Sequence, residues 1–334
     1  MVDISGVNMT DVLGISKPIE KLIETVAGAI GKIYEPIHIT RMSKARAEEV
    51  KLLGEAIDCM KHLPVKYDAG DVVIDGMDCS ELAKRAQCRV SLQELKRQNN
   101  IDHVVRYAAE ELCDKDEIES QPVDPDWVAR FFNSASDIGS DEMRQIWGKI
   151  LAGEVNKPGS FSLRTLDVVR NMNQQDAELF TKIAPFLVFS RSGEKIISSS
   201  NELLAKYGVS YGDIMTLDEC GLINSSGNLS INFKLIEGQP SLLYTSERAA
   251  VLHGLIDKIT EVSFGVHNLT AAGKELLSIA SFVPDNDYFI DFAKHIESRN
   301  KGKLRILVHR ATEIVGDSIN GMSEPLEIIG DGKM

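Results

Sequence analysis

The chain carries two tryptophans, Trp127 and Trp147, and both fall in its most regularly patterned stretch, residues 125–186. Trp127, Val128, Phe131 and Phe132 recur at the three-and-four spacing that gathers side chains on one helical face. Ser140 can cap a second helix, in which Met143, Ile146, Trp147, Ile150 and Leu151 repeat at core spacing. Lys157-Pro158-Gly159-Ser160 reads as a turn, and Leu163, Leu166, Val168 and Val169 begin a third helix. Asn173 stands at an N-cap for residues 174–182, with Asp176 three positions on in capping-box register. Indole and phenyl rings need enclosure on several sides. Short helices joined by tight turns provide it as a compact helical bundle, with Trp127, Phe131, Trp147 and Leu151 in the core.

At 334 residues the chain exceeds the size, about 250–300 residues, at which one hydrophobic core stops growing, so several domains are expected. Near the N-terminus, Ile15, Ile19, Leu22, Ile23, Val26, Ile30, Ile33 and Ile37 line one face of a helix between Ser16 and Pro36. Gly28 and Gly31 would let a second backbone approach while weakening the helix itself. Such a helix needs a neighbouring helix, another subunit or a membrane surface. Residues 1–35 hold five carboxylates (Asp3, Asp11, Glu20, Glu24, Glu35) against Lys17, Lys21 and Lys32. Surface-seeking helices carry a cationic polar face, so helix packing or self-association through Ile19, Leu22, Ile23, Val26, Ile30 and Ile33 is favoured over membrane contact. A second helix is expected over 40–62, ended by Pro64, and a loop over 67–78 with Gly70, Gly76 and four aspartates.

Net charge is -13 and the isoelectric point near 5.1, which opposes non-specific binding to a phosphate backbone. The exception is a long helical segment from Ser80 to Leu112 carrying Lys84, Arg85, Arg89, Lys96, Arg97 and Arg106. It is the only candidate nucleic-acid face, yet Tyr107 is its one aromatic and it holds no reader motif. It runs straight into an acidic block, Glu110 to Asp126, that contains Lys115 alone as a base. No calcium-loop spacing occurs there, and an exposed connector is expected.

Beyond Pro185 the texture changes to strand-like runs at 186–190, 195–198, 229–236, 241–244 and 261–266. Helices are expected at 201–207 and 211–220, then at 269–276 (Leu-Thr-Ala-Ala-Gly-Lys-Glu-Leu) and 287–297, with a strand at 304–308. Two helices, a set of strands and a closing helix resemble a winged-helix arrangement. The segment in the recognition-helix place carries Asp213, Asp218, Glu219 and no base, so a protein-binding use is favoured over DNA.

The chemistry-bearing motifs are missing. There is no phosphate-binding G-x-x-x-x-G-K-[ST], no G-x-G-x-x-G after a strand, no H-E-x-x-H and no G-x-S-x-G. The seven histidines are dispersed, and the five cysteines (59, 79, 88, 113, 220) include no C-x-x-C pair, so reduced thiols are expected. No run approaches the roughly 20 apolar residues that span a bilayer. Glu154, at the end of an apolar helix, is the carboxylate that stands out, and a structural role such as pairing with Arg164 or capping a neighbour is favoured for it over catalysis.

Three passages carry a family resemblance: 16–36 (SKPIEKLIETVAGAIGKIYEP), 96–101 (KRQNNI) and 126–166, with D-W-V-A-R-F-F followed by W-G-K-I-L-A-G-E-V-N-K-P-G-S-F-S-L-R-T-L. They resemble the bacterial family called domain of unknown function 2806. The middle of the third is similar to the abortive-infection Abi-alpha group, which implies a part in defence against phage. The first family implies no reaction, so no catalytic residue is carried over.

The expectation is a mainly α protein. It has N-terminal amphipathic helices (1–66), then a linker, long basic helix and acidic connector (67–124). A compact bundle (125–186), a smaller α+β winged-helix-like domain (187–320) and a flexible tail (321–334) complete it. The functional expectation is a cytoplasmic interaction protein, with or without a peripheral place at the inner membrane, acting by self-association or by protein or membrane contact. A nucleic-acid regulator using residues 84–106 comes second, and an enzyme with a spatially assembled site third. No cofactor and no metal are expected.

Overall fold

The computed structural model describes residues 16–30, 67–68, 71–72, 79–113, 115, 118–225, 229–255, 259–315 and 318–330. The chain divides into two compact units, Met1–Leu166 and Asp167–Met334. Ile33, the helix expected over 40–62 and most of the loop over 67–78 lie outside the described residues.

The first unit contains helices α1 (Lys17–Ile30), α2 (Cys79–Leu112), α3 (Pro125–Ala135) and α4 (Asp141–Asn156), with a minimal antiparallel pair, β1 (Tyr67–Asp68) and β2 (Asp71–Val72). Helix α5 (Leu163–Asn171) contains the boundary between the units. Asp124 caps α3 by accepting from Asp126 N, with Pro125 in the first turn, and Ser140 caps α4 by accepting from Met143 N at 3.2 Å. The rings of Trp127 and Phe131 stack at 5.0 Å, and Phe131 meets Trp147 at 5.1 Å. Helix α1 presses fully buried Leu22 and Val26 into the same core, against α2, α3 and α4. Helices α2 and α4 cross at Gly148, where a Cβ would lie 2.4 Å from Tyr107 Cβ and 3.1 Å from the Ala108 N. Only glycine allows backbones that close. Gly28, by contrast, faces open space.

The second unit is built on a ten-stranded sheet in which every pair is antiparallel. Its strands are β3 (Val188–Ser190), β4 (Lys195–Ser198), β5 (Ile223–Asn224), β6 (Ser230–Ile236) and β7 (Ser241–Tyr244). They continue with β8 (Arg248–Gly254), β9 (Ile259–Leu269), β10 (Leu304–Val315), β11 (Ser318–Met322) and β12 (Glu327–Ile329). Their order is β11-β10-β8-β7-β3-β4-β9-β5, with β12 beside β10 and β6 beside β9. The helices of this unit are α6 (Gln174–Ile183), α7 (Asn201–Lys206), α8 (Tyr211–Glu219), α9 (Ala271–Leu277) and α10 (Asn286–Arg299). The capping box at Asn173 forms as read, with Asp176 N donating to Asn173 Oδ1 at 3.1 Å and Asn173 N to Asp176 Oδ2 at 2.8 Å.

Helix α10 fills one face of the sheet. Tyr288, Phe289, Phe292, Ala293 and Ile296 are buried, and Leu243, Ala250, Leu252 and Ile306 meet them from the strands. Strand β9 alternates buried and exposed residues as a one-sided strand must, and its Phe264 ring meets Phe292 edge-on at 5.7 Å. Strands β8 and β9 are not neighbours in the sheet, yet a Cβ on Gly254 would sit 2.6 Å from Thr260 Oγ1 and 3.2 Å from Leu235 Cβ. The sheet is therefore rolled around α10, and the missing side chain at Gly254 lets its ends approach.

These observations correct the expected fold class. The second half of the chain is neither smaller nor winged-helix-like: the short helices α7, α8 and α9 exist, but the strands belong to one large sheet with α10 at its centre. The expectation failed because β8 reads Arg-Ala-Ala-Val-Leu-His-Gly, with alanines of poor strand propensity, and because pairings such as β8 with β10 join distant residues. Nor do residues 125–186 form a simple helical bundle. Helices α1 and α2 complete the core of the first unit, and α6 belongs to the second. The tail expected to be loose beyond residue 320 contains the end of β11 and all of β12.

Candidate functional site

Three places in the molecule merit scrutiny: a cleft around Glu154, the free half of α2, and a polar knot beside α10.

The cleft is lined by residues 121–125, Trp127, Glu154 and residues 158–163, with a volume of about 510 Å³. Glu154 is buried in its wall. One carboxylate oxygen accepts from Gly159 N at 2.6 Å and the other from Phe161 N at 2.9 Å, while Trp127 Nε1 donates to Phe161 O at 2.7 Å. The turn after α4 is thus clamped on both sides of Phe161, whose ring lies where a Cβ on Gly153 would be. Asp124, the other carboxylate of the lining, caps α3. Both acids are engaged with their own backbone, which suits an architectural role. The turn that follows the helix is thus a partner of Glu154. Lys21 Nζ donates to Glu119 O at 2.7 Å, and burial lowers its pKa against the opposing pull of Glu119 and Glu154.

Helix α2 has two different halves. From Asn100 onward Ile101, Val104, Val105, Ala108 and Leu112 are buried. Between Leu82 and Gln98 every described side chain is exposed or half-exposed, including Leu82 (49% exposed), Val90 (48%) and Leu95 (41%). Of the six bases singled out in the sequence, Lys84, Arg89, Lys96 and Arg97 are exposed and Arg85 and Arg106 half-exposed. Arg97 pairs with Asp137 at 3.0 Å and Glu94 at 3.1 Å. Arg106 lies 4.7 Å over the Tyr107 ring, with its Nε 3.7 Å from Glu110. Of the residues expected on a self-association helix, Leu22 and Val26 are in the core and Ile19 and Ile23 half-buried; the side chain of Ile30, like Ile33, is outside the described set. Trp127, Phe131, Trp147 and Leu151 are all buried in the first unit.

The polar knot joins α7 to α10. Lys206 Nζ and Tyr207 OH (2.6 Å) both donate to Asp291 Oδ2, and Ser198 N donates to Tyr288 OH at 3.0 Å. The bonds from Lys206 and then Tyr207 hold Asp291 below the ordinary carboxylate range, while burial pushes both phenols up. A phenol driven upward stays protonated and gives up its proton reluctantly, so the knot fits a fastening better than an acid–base site. Burial beside Asp176 similarly pushes the Cys220 thiol up to about 11, the wrong direction for a nucleophile. Among the described residues, no group of three His, Cys, Asp or Glu could hold a metal ion, and no helix is long and apolar enough to cross a membrane. The helix expected over 287–297 forms as α10; the signal left unread there was its apolar face, on which Tyr288, Phe289, Phe292 and Ile296 recur at core spacing.

Neither a curated protein nor a solved structure matches the chain. One family model does, described as "Protein of unknown function (DUF2806)", over residues 84–293. That span begins in the exposed half of α2, takes in the Glu154 clamp and ends within α10, more than half of the sequence. The chain belongs to this family of proteins of unknown function.

Proposed function

We propose that this protein acts by assembly rather than catalysis, pairing with a second copy of itself through the exposed half of α2. The observation that carries this reading is the charge division along one rigid element. Residues 82–98 hold Lys84, Arg85, Arg89, Lys96 and Arg97 against Glu94, with Leu82, Val90 and Leu95 open to solvent. The far end of the same helix and the connector after it present exposed Glu110, Glu111, Glu119, Asp124 and Asp126. Two copies laid antiparallel would set each basic half along the other's acidic end, the self-complementary arrangement of a twofold interface. The favoured helix of the sequence reading, α1, has its Leu22 and Val26 committed to the core of its own unit. The resemblance read in the middle of 126–166 to abortive-infection proteins is the ground for proposing phage defence as the setting of this assembly.

Light scattering after size exclusion tests the pairing. A dimer is expected that dissociates as salt rises and is lost in the variant Lys84→Glu/Arg85→Glu/Arg89→Glu. Mixing that variant with Glu110→Lys/Glu111→Lys should restore a heterodimer. A wild-type monomer, or a dimer untouched by the reversal, would defeat the proposal. Binding of a duplex oligonucleotide at low salt, abolished by the same reversal, would transfer the arm to nucleic acid instead. Cells expressing the protein should form fewer plaques on phage challenge, and the monomeric variant should not protect.

A further inference from the structure

The outer face of the sheet, opposite α10, is divided. At the β9 and β5 end, α8 packs on β5 and sets Asp218 near the partly buried His267. Over β7, β8, β10 and β12 the register brings side chains into rows on the face away from α10. Directly paired residues share a face, so Leu242, Val251, Leu307 and Ile328 form one continuous aliphatic row across four strands. Leu326, two positions before Ile328, extends it at the edge. Ile328 is 60% and Leu326 55% exposed, and the three inner members of the row are half-exposed.

The rows on either side are cationic or neutral. One runs Lys195, Phe189, Tyr244, Ala249, His309, with Lys195 Nζ 5.4 Å over the Phe189 ring and Phe189 edge-on to Tyr244; Tyr244 and Ala249 are buried, and Lys195, Phe189 and His309 are its accessible members. The other pairs His253 with Arg305. None of these positions is acidic, in a chain whose net charge is -13. Arg305 Nε is buried and finds no acceptor, and no carboxylate lies within ion-pair distance of Arg305 or Lys195 among the described residues. Burial, and after it the fields of Arg305 and His309, lower the pKa of His253.

We propose that this open face docks an acidic amphipathic helix of a partner protein. Four strands about 4.8 Å apart set the ends of the aliphatic row roughly 14 Å apart. A helix laid along the row covers that length in under three turns, with apolar residues at i, i+4, i+7 and i+11. Acidic residues flanking its apolar stripe then meet Arg305 on one side and Lys195 with His309 on the other. An anionic bilayer fits less well, because the whole chain of charge -13 would have to approach it.

The probe is a capped synthetic helix of about 14 residues with leucine at those four positions and glutamate on both flanks; its twin carries lysine for glutamate. Fluorescence anisotropy on the full chain should show the glutamate peptide binding about tenfold tighter than the lysine peptide at low salt. Ile328→Asp, at an exposed position that leaves folding intact, should lose about tenfold, and Arg305→Glu a similar factor, whereas Ile328→Lys should lose less than either. Equal binding of the two peptides, no binding, or indifference to Ile328→Asp would overturn the proposal. So would co-sedimentation with phosphatidylserine vesicles lost in Ile328→Asp, which would make the face a membrane surface. A dimer dissolved by Ile328→Asp would likewise overturn it in favour of a second copy.

Discussion

The aromatic core of the first unit is assembled from close neighbours in sequence. Trp127 and Phe131 are one helical turn apart, and Trp147 arrives from the next helix. In the second unit Phe186, Tyr207, Phe264, Tyr288 and Phe292 meet from four separate segments of the chain, with Tyr207 and Tyr288 at 5.3 Å and Tyr288 and Phe292 stacked at 6.0 Å. Both cores are aromatic. The first can be read from spacing because its partners sit within the reach of a helical period. The second can be read only once the register of ten strands is known, since long-range pairing depends on the whole sheet closing.

The sharpest way to break this comparison is to hollow each core in turn. Trp147→Ala and Phe292→Ala remove side chains that are almost wholly buried and should each destabilise by about 3–5 kcal/mol in denaturant titrations. Both tryptophans lie in the first unit, so fluorescence should follow Trp147→Ala and the β-sheet circular dichroism Phe292→Ala. If both variants moved both signals alike, the cores would not be separate. Tyr288→Phe is a finer cut. It leaves the ring but takes away the acceptor of Ser198 N, and an unsatisfied buried N–H should cost about 1–3 kcal/mol.

Asp291→Asn should cost less, under about 1 kcal/mol at neutral pH, because its Lys206 pair is partly open to solvent. The sign follows from its lowered pKa in the fold. That contribution is complete above the unfolded value of about 3.9 and is lost as pH falls through the lower folded value. The gap between wild type and variant should therefore close in acid, and a gap that widened there would refute the assignment. The smallest effect is expected on the free half of α2, where Leu95→Ala should stay within about 0.5 kcal/mol while Val104→Ala, two turns and more along the same helix, costs about 2 kcal/mol.

Particular residues show where sequence reasoning stopped. Ser140, Asn173 with Asp176, and the span of α2 were readable because caps and periodicity are local signals. Glu154 stood out as a carboxylate at the end of an apolar helix, but the backbone N–H groups of Gly159 and Phe161 that it accepts from have no signature, because backbone donors look alike in every sequence. Gly28 and Gly31 were the glycines that suggested close approach; Gly28 faces open space, and Gly148 is one of those that need it. A glycine announces permission, and only a neighbour across the crossing makes use of it. Likewise the six bases of α2 read as one face, whereas Asp137 from another segment engages Arg97, and Glu110, one turn along the same helix, engages Arg106.

The sequence by itself determined the helices of the first unit, their caps, the two tryptophans at their centre and the charge division along α2. All of these arise from residues a few positions apart, where spacing alone decides who meets whom. The tertiary structure decided the rest: that ten strands form one rolled sheet, that α10 fills it, and that Leu242, Val251, Leu307 and Ile328 align on its open side. A one-residue slip in any of those pairings would turn the row to the other face. Register belongs to the assembled sheet and has no signature in any single strand.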